Sequence, residues 1–133
     1  MSRFPLEEVC QGNLGSNGNN QFVTVRVQGF YLTSLHLIAK KKEVNRLHQL
    51  ANLREKLSEK GVWDKGKMHV LAGDFNSLTF ADKSEAEWAE VAVERNEANF
   101  EEPKFQVTAS MGQKNFSDCW AKVGTGGLRT TCQ

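Results

Sequence analysis

The stretch Met68-His69-Val70-Leu71-Ala72-Gly73-Asp74-Phe75-Asn76 decides how this chain is read. Its first five residues are short and apolar, as a buried strand requires, and they run into a glycine that admits close approach of backbone or ligand. A period of two then places Asp74 and Asn76 on one face and turns Phe75 to the other. A carboxylate beside a carboxamide at a strand's C-terminal end suits phosphate chemistry. The carboxylate can hold a metal or take a proton from water, and the amide can orient a water or a phosphate oxygen. Asp-Phe-Asn is equally a turn made from two good turn formers.

Upstream, Lys40 to Lys60 changes period: Val44, Leu47, Leu50, Ala51 and Leu57 repeat at helical spacing, and Gly61 stands where a left-handed cap belongs. Before it, Phe30 to Leu37 is apolar on both faces, as a central strand would be. Strand, helix and strand predict a βαβ unit with parallel strands and a right-handed crossover. That would bring His36 to the same sheet edge as Asp74 and Asn76, where open α/β sheets bind ligands. His36 taken alone is equally a strand histidine with its ring satisfied, and His48 and His69 carry no context beyond structure or surface. Lys40, Lys41, Lys42 and Arg46 could form the solvated first turns of the helix. Cations there run against the helix dipole, however, and they follow His36 directly, where an anionic substrate would arrive.

Further upstream, Gln21 to Val27 alternates, with Val23, Val25 and Val27 expected on the buried face, and Gln28-Gly29 makes a tight connection to the next strand. Residues 1–20 end in a glycine- and asparagine-rich run without periodicity and are expected to be loop. Downstream, Ser84-Glu85-Ala86-Glu87 predicts a capping box opening a helix with Trp88, Val91 and Ala92 inward. Phe105 to Gln113 predicts a short helix, Gly124 to Gly127 a turn, and Arg129 to Cys132 the start of a strand.

The 133 residues suit one domain. A hydrophobic fraction of 39% with 25% charged residues excludes collagen-like and disordered classes. A net charge of +1 gives no global footprint for a nucleic-acid polymer, though it leaves room for a local basic groove. No run has the length of a membrane span, and the first residues lack a signal's apolar stretch. The three cysteines, Cys10, Cys119 and Cys132, are odd in number and widely spaced, which argues against a disulfide framework and for an intracellular setting.

Taken in order, Ser34-Leu35-His36-Leu37, the helix, and Val70 to Ser77 resemble the endonuclease/exonuclease/phosphatase superfamily, the deoxyribonuclease-like fold. The segments Phe116 to Trp120 and Thr130 to Cys132 resemble its later part, so the likeness spans about residues 21 to 132. It implies an α/β fold of the α+β sandwich type, with helices flanking paired sheets, and magnesium- or manganese-assisted hydrolysis of a phosphodiester or phosphomonoester. On that analogy His36, Asp74 and Asn76 are catalytic and Asp74 approaches the metal; Lys40, Lys41 and Arg46, by their position after His36, are expected to contact substrate. The substrate would be a nucleic acid, a nucleotide, a phospholipid or an inositol phosphate. The resemblance also implies an upstream strand glutamate and a downstream Ser-Asp-His segment that the sequence does not supply. The chain is therefore expected to be a partial domain, weak or inactive alone. Its alternatives are a non-catalytic binding module, or a half-domain completed by another chain or by a homodimer.

Overall fold

The computed structural model describes residues 2–15, 20–40, 42–64 and 66–123. The protein is mixed α/β, with a four-stranded mixed sheet and helices, in two compact units, Met1–Asn76 and Ser77–Gln133. The segment from Gly124 onward, including the expected turn and the Arg129 to Cys132 strand, lies outside the described residues.

In the first unit the sheet order is β1 (Glu7–Asn13), β2 (Gln21–Val27), β3 (Phe30–His36), β4 (His69–Asp74). β1 corrects the expectation of loop over residues 1–20. It pairs antiparallel with β2 and carries an irregularity between Glu8 and Cys10. An edge strand interrupted by a bulge gains its stability from ladder hydrogen bonds rather than from alternating burial, so its sequence shows no period. Gln28 (φ 47°) and Gly29 (φ 86°) both sit at positive φ between β2 and β3, as a type I′ hairpin turn requires.

β3 and β4 are parallel, with Tyr31 beside His69 and His36 beside Asp74. Between them runs α1 (Glu43–Glu59), starting three residues later than its lysine-rich lead-in suggested. α1 ends in a Schellman motif. Gly61, at φ 64°, donates its N–H to the Ser58 carbonyl, and the Val62 N–H reaches the Leu57 carbonyl, each at 2.9 Å. Val62 and Leu57 are fully buried, which supplies the apolar contact that accompanies this cap.

The core corrects two sequence expectations. In β2 the buried residues are Phe22, Thr24 and Val27; of the three valines expected on the buried face only Val27 is buried, Val25 is half-buried and Val23 is 39% exposed. Phe22 lies opposite Leu35 and Thr24 opposite Thr33, and all four are buried. A threonine is tolerated there because its hydroxyl is satisfied: Thr24 Oγ1 and Thr33 Oγ1 are 2.7 Å apart, and Thr33 Oγ1 is 2.8 Å from His69 Nε2. In α1 the buried stripe is Glu43, Arg46, Leu50, Leu53 and Leu57, an alternating three- and four-residue spacing. Val44 is 48% exposed, Ala51 is exposed and Leu47 is half-buried. Leu50 and Leu57 are buried as the apolar period implies, whereas the stripe leaves Val44, Leu47 and Ala51 aside and continues instead through Glu43, Arg46 and Leu53.

His69 sits half-buried with its ring edge-on to Tyr31 and Trp63. Burial pushes its pKa below the ordinary 6.5. The unfolded chain then takes up this proton first as pH falls. The stabilisation is complete above the unfolded value and is lost progressively below it. Denaturant melts should show a midpoint that drops as pH falls below the ordinary 6.5, with the drop reduced in His69→Gln. A slope unchanged by that substitution would assign the pH dependence to other groups.

In the second unit, α2 (Glu85–Glu97) opens with the expected capping box. Ser84 Oγ accepts from the Glu87 N–H, and the Ser84 N–H donates to Glu87 Oε2 at 2.7 Å. The Ser84 hydroxyl also donates to Glu87 Oε2 at 2.7 Å, and that bond first, then the one from the Ser84 N–H, holds the Glu87 carboxyl below its usual range. Trp88 is buried, donates from Nε1 to the Phe80 carbonyl (2.8 Å), and meets the Phe105 ring edge-on at 4.8 Å. α3 (Gln106–Gln113) buries Val107, and Thr108 Oγ1 donates to the Leu78 carbonyl. A five-residue helix, α4 (Cys119–Val123), follows.

Candidate functional site at the β3–β4 edge

Parallel register places His36 next to Asp74 at the C-terminal ends of the two strands. His36 Nε2 and Asp74 Oδ2 lie 3.9 Å apart, with side chains 58% and 51% exposed. That is beyond a direct hydrogen bond but close enough for both groups to contact one ligand atom. As an ion pair at such exposure it contributes little to stability. Its arrangement is therefore of chemical rather than structural interest.

The backbone around this pair is held by three carboxamides. Asn20 Nδ2 donates to the His36 carbonyl at 3.1 Å, and Asn76 Nδ2 donates to the Leu37 carbonyl at 2.8 Å. Gln49 Oε1 accepts from the Ile38 N–H, also at 2.8 Å. Asn20 and Gln49 are buried, so these bonds form where water competes poorly. Together they fix three consecutive residues, His36, Leu37 and Ile38, as the chain leaves β3. Sequence reading missed Asn20 and Gln49. Hairpin arithmetic held the signal for Asn20: with Phe22 opposite Leu35, the residue two places before Phe22 falls beside Leu37.

Asp74 is oriented in turn by its neighbour. Its Oδ1 accepts the Asn76 N–H at 2.8 Å, and Asn76 adopts φ 47°, a left-handed conformation that asparagine tolerates better than most residues. Both readings of Asp-Phe-Asn therefore hold at once. The segment is a side-chain-closed turn, and that turn aims Asp74 Oδ2 at His36. Asn76 differs from the expectation: its amide is committed to the Leu37 carbonyl rather than projecting beside Asp74, which makes it a positioning residue.

The expected basic residues divide. Lys40 is exposed, and Lys41 lies outside the described residues. Arg46 corrects its assignment as a substrate contact. It is 8% exposed, on the same buried stripe of α1 as Glu43, and so cannot act as a free surface cation. Among the described residues no group of three or more His, Cys, Asp or Glu side chains could hold a metal ion. Magnesium takes near-octahedral oxygen coordination anchored by carboxylates, and Asp74 by itself does not fit that demand. A cavity of about 420 Å³ is lined instead by Asn13, Leu14, Asn52, Glu55, Lys56 and Glu59, none of which belongs to this edge.

No protein family, curated protein or solved structure matches the chain.

Proposed function

We propose that the chain is a member of the deoxyribonuclease-like endonuclease/exonuclease/phosphatase superfamily, and that its β3–β4 edge recognises a phosphate ester. The observation that carries this reading is the His36–Asp74 pair, 3.9 Å apart at the C-terminal end of two parallel strands joined through a helix. The order of Ser34-Leu35-His36-Leu37, helix, and Gly73-Asp74-Phe75-Asn76 supports it as well. So does the sheet face opposite the buried threonines, where Val23 and Val70 are 39% and 41% exposed, as a sandwich leaf awaiting a second layer would be.

In this reading the His36 imidazole donates a hydrogen bond to a phosphate oxygen. Asp74 Oδ2 stands beside it to accept a hydrogen bond from a water or hydroxyl of the bound ester, while the Asn76 N–H on Oδ1 keeps the carboxylate oriented. Lys40 adds local positive potential that draws an anionic ester to the edge. Magnesium or manganese, if used, needs oxygen donors beyond Asp74, so recognition rather than turnover is the activity assigned to these residues.

Equilibrium binding of a short oligonucleotide tests the proposal. His36→Ala should weaken binding by about tenfold, and Lys40→Gln should weaken it more at low salt than at high. Binding indifferent to both substitutions would sink the assignment. Metal-dependent hydrolysis that Asp74→Ala abolishes would restore full catalysis to the chain and require further ligands, with Glu7 and Glu8 the first to examine.

A further inference from the structure

His36 and Asp74 are both more than half exposed and 3.9 Å apart, too far for a hydrogen bond between them. Their separation is therefore set by the backbone beneath them. Asp74 is held from β3 and from its own turn: its carbonyl takes the Leu37 N–H at 2.8 Å and its Oδ1 the Asn76 N–H. His36 is held from further away. Its carbonyl accepts from Asn20 Nδ2 at 3.1 Å, and Asn20, 16 residues earlier and 8% exposed, belongs to the connection between β1 and β2.

That connection is tied to α1 in turn. Leu14, fully buried, donates its N–H to the Asn20 carbonyl (2.8 Å), and its own carbonyl accepts from Asn52 Nδ2 (3.1 Å). Gln49 lies three residues before Asn52, its neighbour on the helix surface, and holds the Ile38 N–H. The two elements touch at Gly15, where an added Cβ would lie 3.1 Å from Gln49 Nε2. Three hydrogen bonds thus run without a break from Asn52 through Leu14 and Asn20 to His36. Every residue in that chain belongs to the first unit.

We propose that Asn20 is a positioning residue for the phosphate-recognising edge, and that Leu14 and Asn52 anchor it to α1. The inference rests on phosphate recognition by His36 and Asp74, and it names what sets their spacing. β3 ends at His36, and the last residue of a strand frays unless something ties it. Two side chains that share one ligand atom must be held to within about 0.5 Å of the working geometry by the groups behind them. The Asn20 amide supplies that hold, in a buried place where water competes poorly for the His36 carbonyl. Burying a carboxamide is unfavourable unless it is bonded, and an apolar side chain would fill the space at less cost if packing were its only role.

Nuclear magnetic resonance of the full chain, free and titrated with a dinucleotide, tests the proposal. In free Asn20→Leu the His36 ring resonances should shift or split while those of His48 stay in place. The dissociation constant should rise about tenfold in that variant and about threefold in Asn52→Ala. Asn52 is exposed and alanine is the better helix former, so Asn52→Ala keeps the test valid if Asn20→Leu folds poorly. Val62→Ala, at a fully buried site outside the connection, should melt lower yet bind within about twofold of the original chain. Binding that needs His36 but is unmoved by Asn20→Leu and Asn52→Ala overturns the inference and leaves phosphate recognition standing. Losses of affinity that merely track loss of stability, Val62→Ala included, overturn it too, since Asn20 would then be a buttress of the fold. A chain that ignores the dinucleotide, or binds it equally well as His36→Ala, overturns phosphate recognition and this inference together.

Discussion

Gly73→Ala should unfold the first unit or cost it at least about 4 kcal/mol, the largest effect expected of any single methyl group in this chain. Gly73 has φ +134°, a region that side chains rarely adopt. A Cβ built there would overlap the Leu35 carbonyl oxygen and lie 2.9 Å from both Leu35 C and Leu35 N. The obstacle is backbone in the neighbouring strand, not the tip of a mobile side chain. β4 could relieve the clash only by leaving its register with β3, which would break the ladder holding His36 beside Asp74. The glycine of Gly73-Asp74-Phe75-Asn76 is therefore required for the sheet, before any ligand is considered. Urea denaturation of the variant beside Gly66→Ala gives the check. Gly66 is also at positive φ (88°) but has open space where its Cβ would go, so its loss should be confined to local backbone strain, about 1 kcal/mol. Equal losses in the two variants would show that β4 does not approach β3 as closely as described.

Leu53→Ala should cost about 2–5 kcal/mol, because Leu53 has no exposed surface and its truncation leaves a cavity beneath α1. Leu47→Ala, at a half-buried position, should cost distinctly less, about 1 kcal/mol. Val44→Ala, 48% exposed, should be within about 0.5 kcal/mol of neutral. This gradient reads the rotation of α1 directly. If Leu47→Ala proved as costly as Leu53→Ala, the helix would present the face that apolar counting favours.

Those two sets of residues also show where the sequence is legible and where it is not. The crossover from β3 through α1 to β4 was readable because local signals agree: an apolar run, a helical period, Gly61 as a cap, and a second apolar run. The capping box at Ser84 was readable for the same reason, since every atom it needs lies within four residues. β1 was hidden because an edge strand with a bulge takes its stability from a partner elsewhere in the chain. The α1 stripe was misjudged because Glu43, Arg46 and Gln49 are charged or polar yet buried, 2%, 8% and 5% exposed. Long polar side chains can be buried where they find partners, and Gln49 finds the Ile38 N–H. In β2 the expectation held for Val27 but not for Val23, because three valines outweighed one threonine, although Thr24 gains a hydroxyl partner across the strand. At the site, the meeting of His36 with Asp74 followed from strand parity. The commitment of the Asn76 amide to the Leu37 carbonyl did not, because it depends on a left-handed residue beyond the strand's end.

The central claim, that His36 and Asp74 form one phosphate-recognising edge, is tested most directly by nuclear magnetic resonance of the labelled chain titrated with a dinucleotide. The account predicts saturable shifts of the His36 ring and the Asp74 carboxylate with a common dissociation constant. His48, exposed on α1, and His69, at the far end of β4, should stay unmoved, and the response should be lost in His36→Ala. Shifts that leave His36 and Asp74 unchanged, or that move His48 and His69 equally, would contradict it.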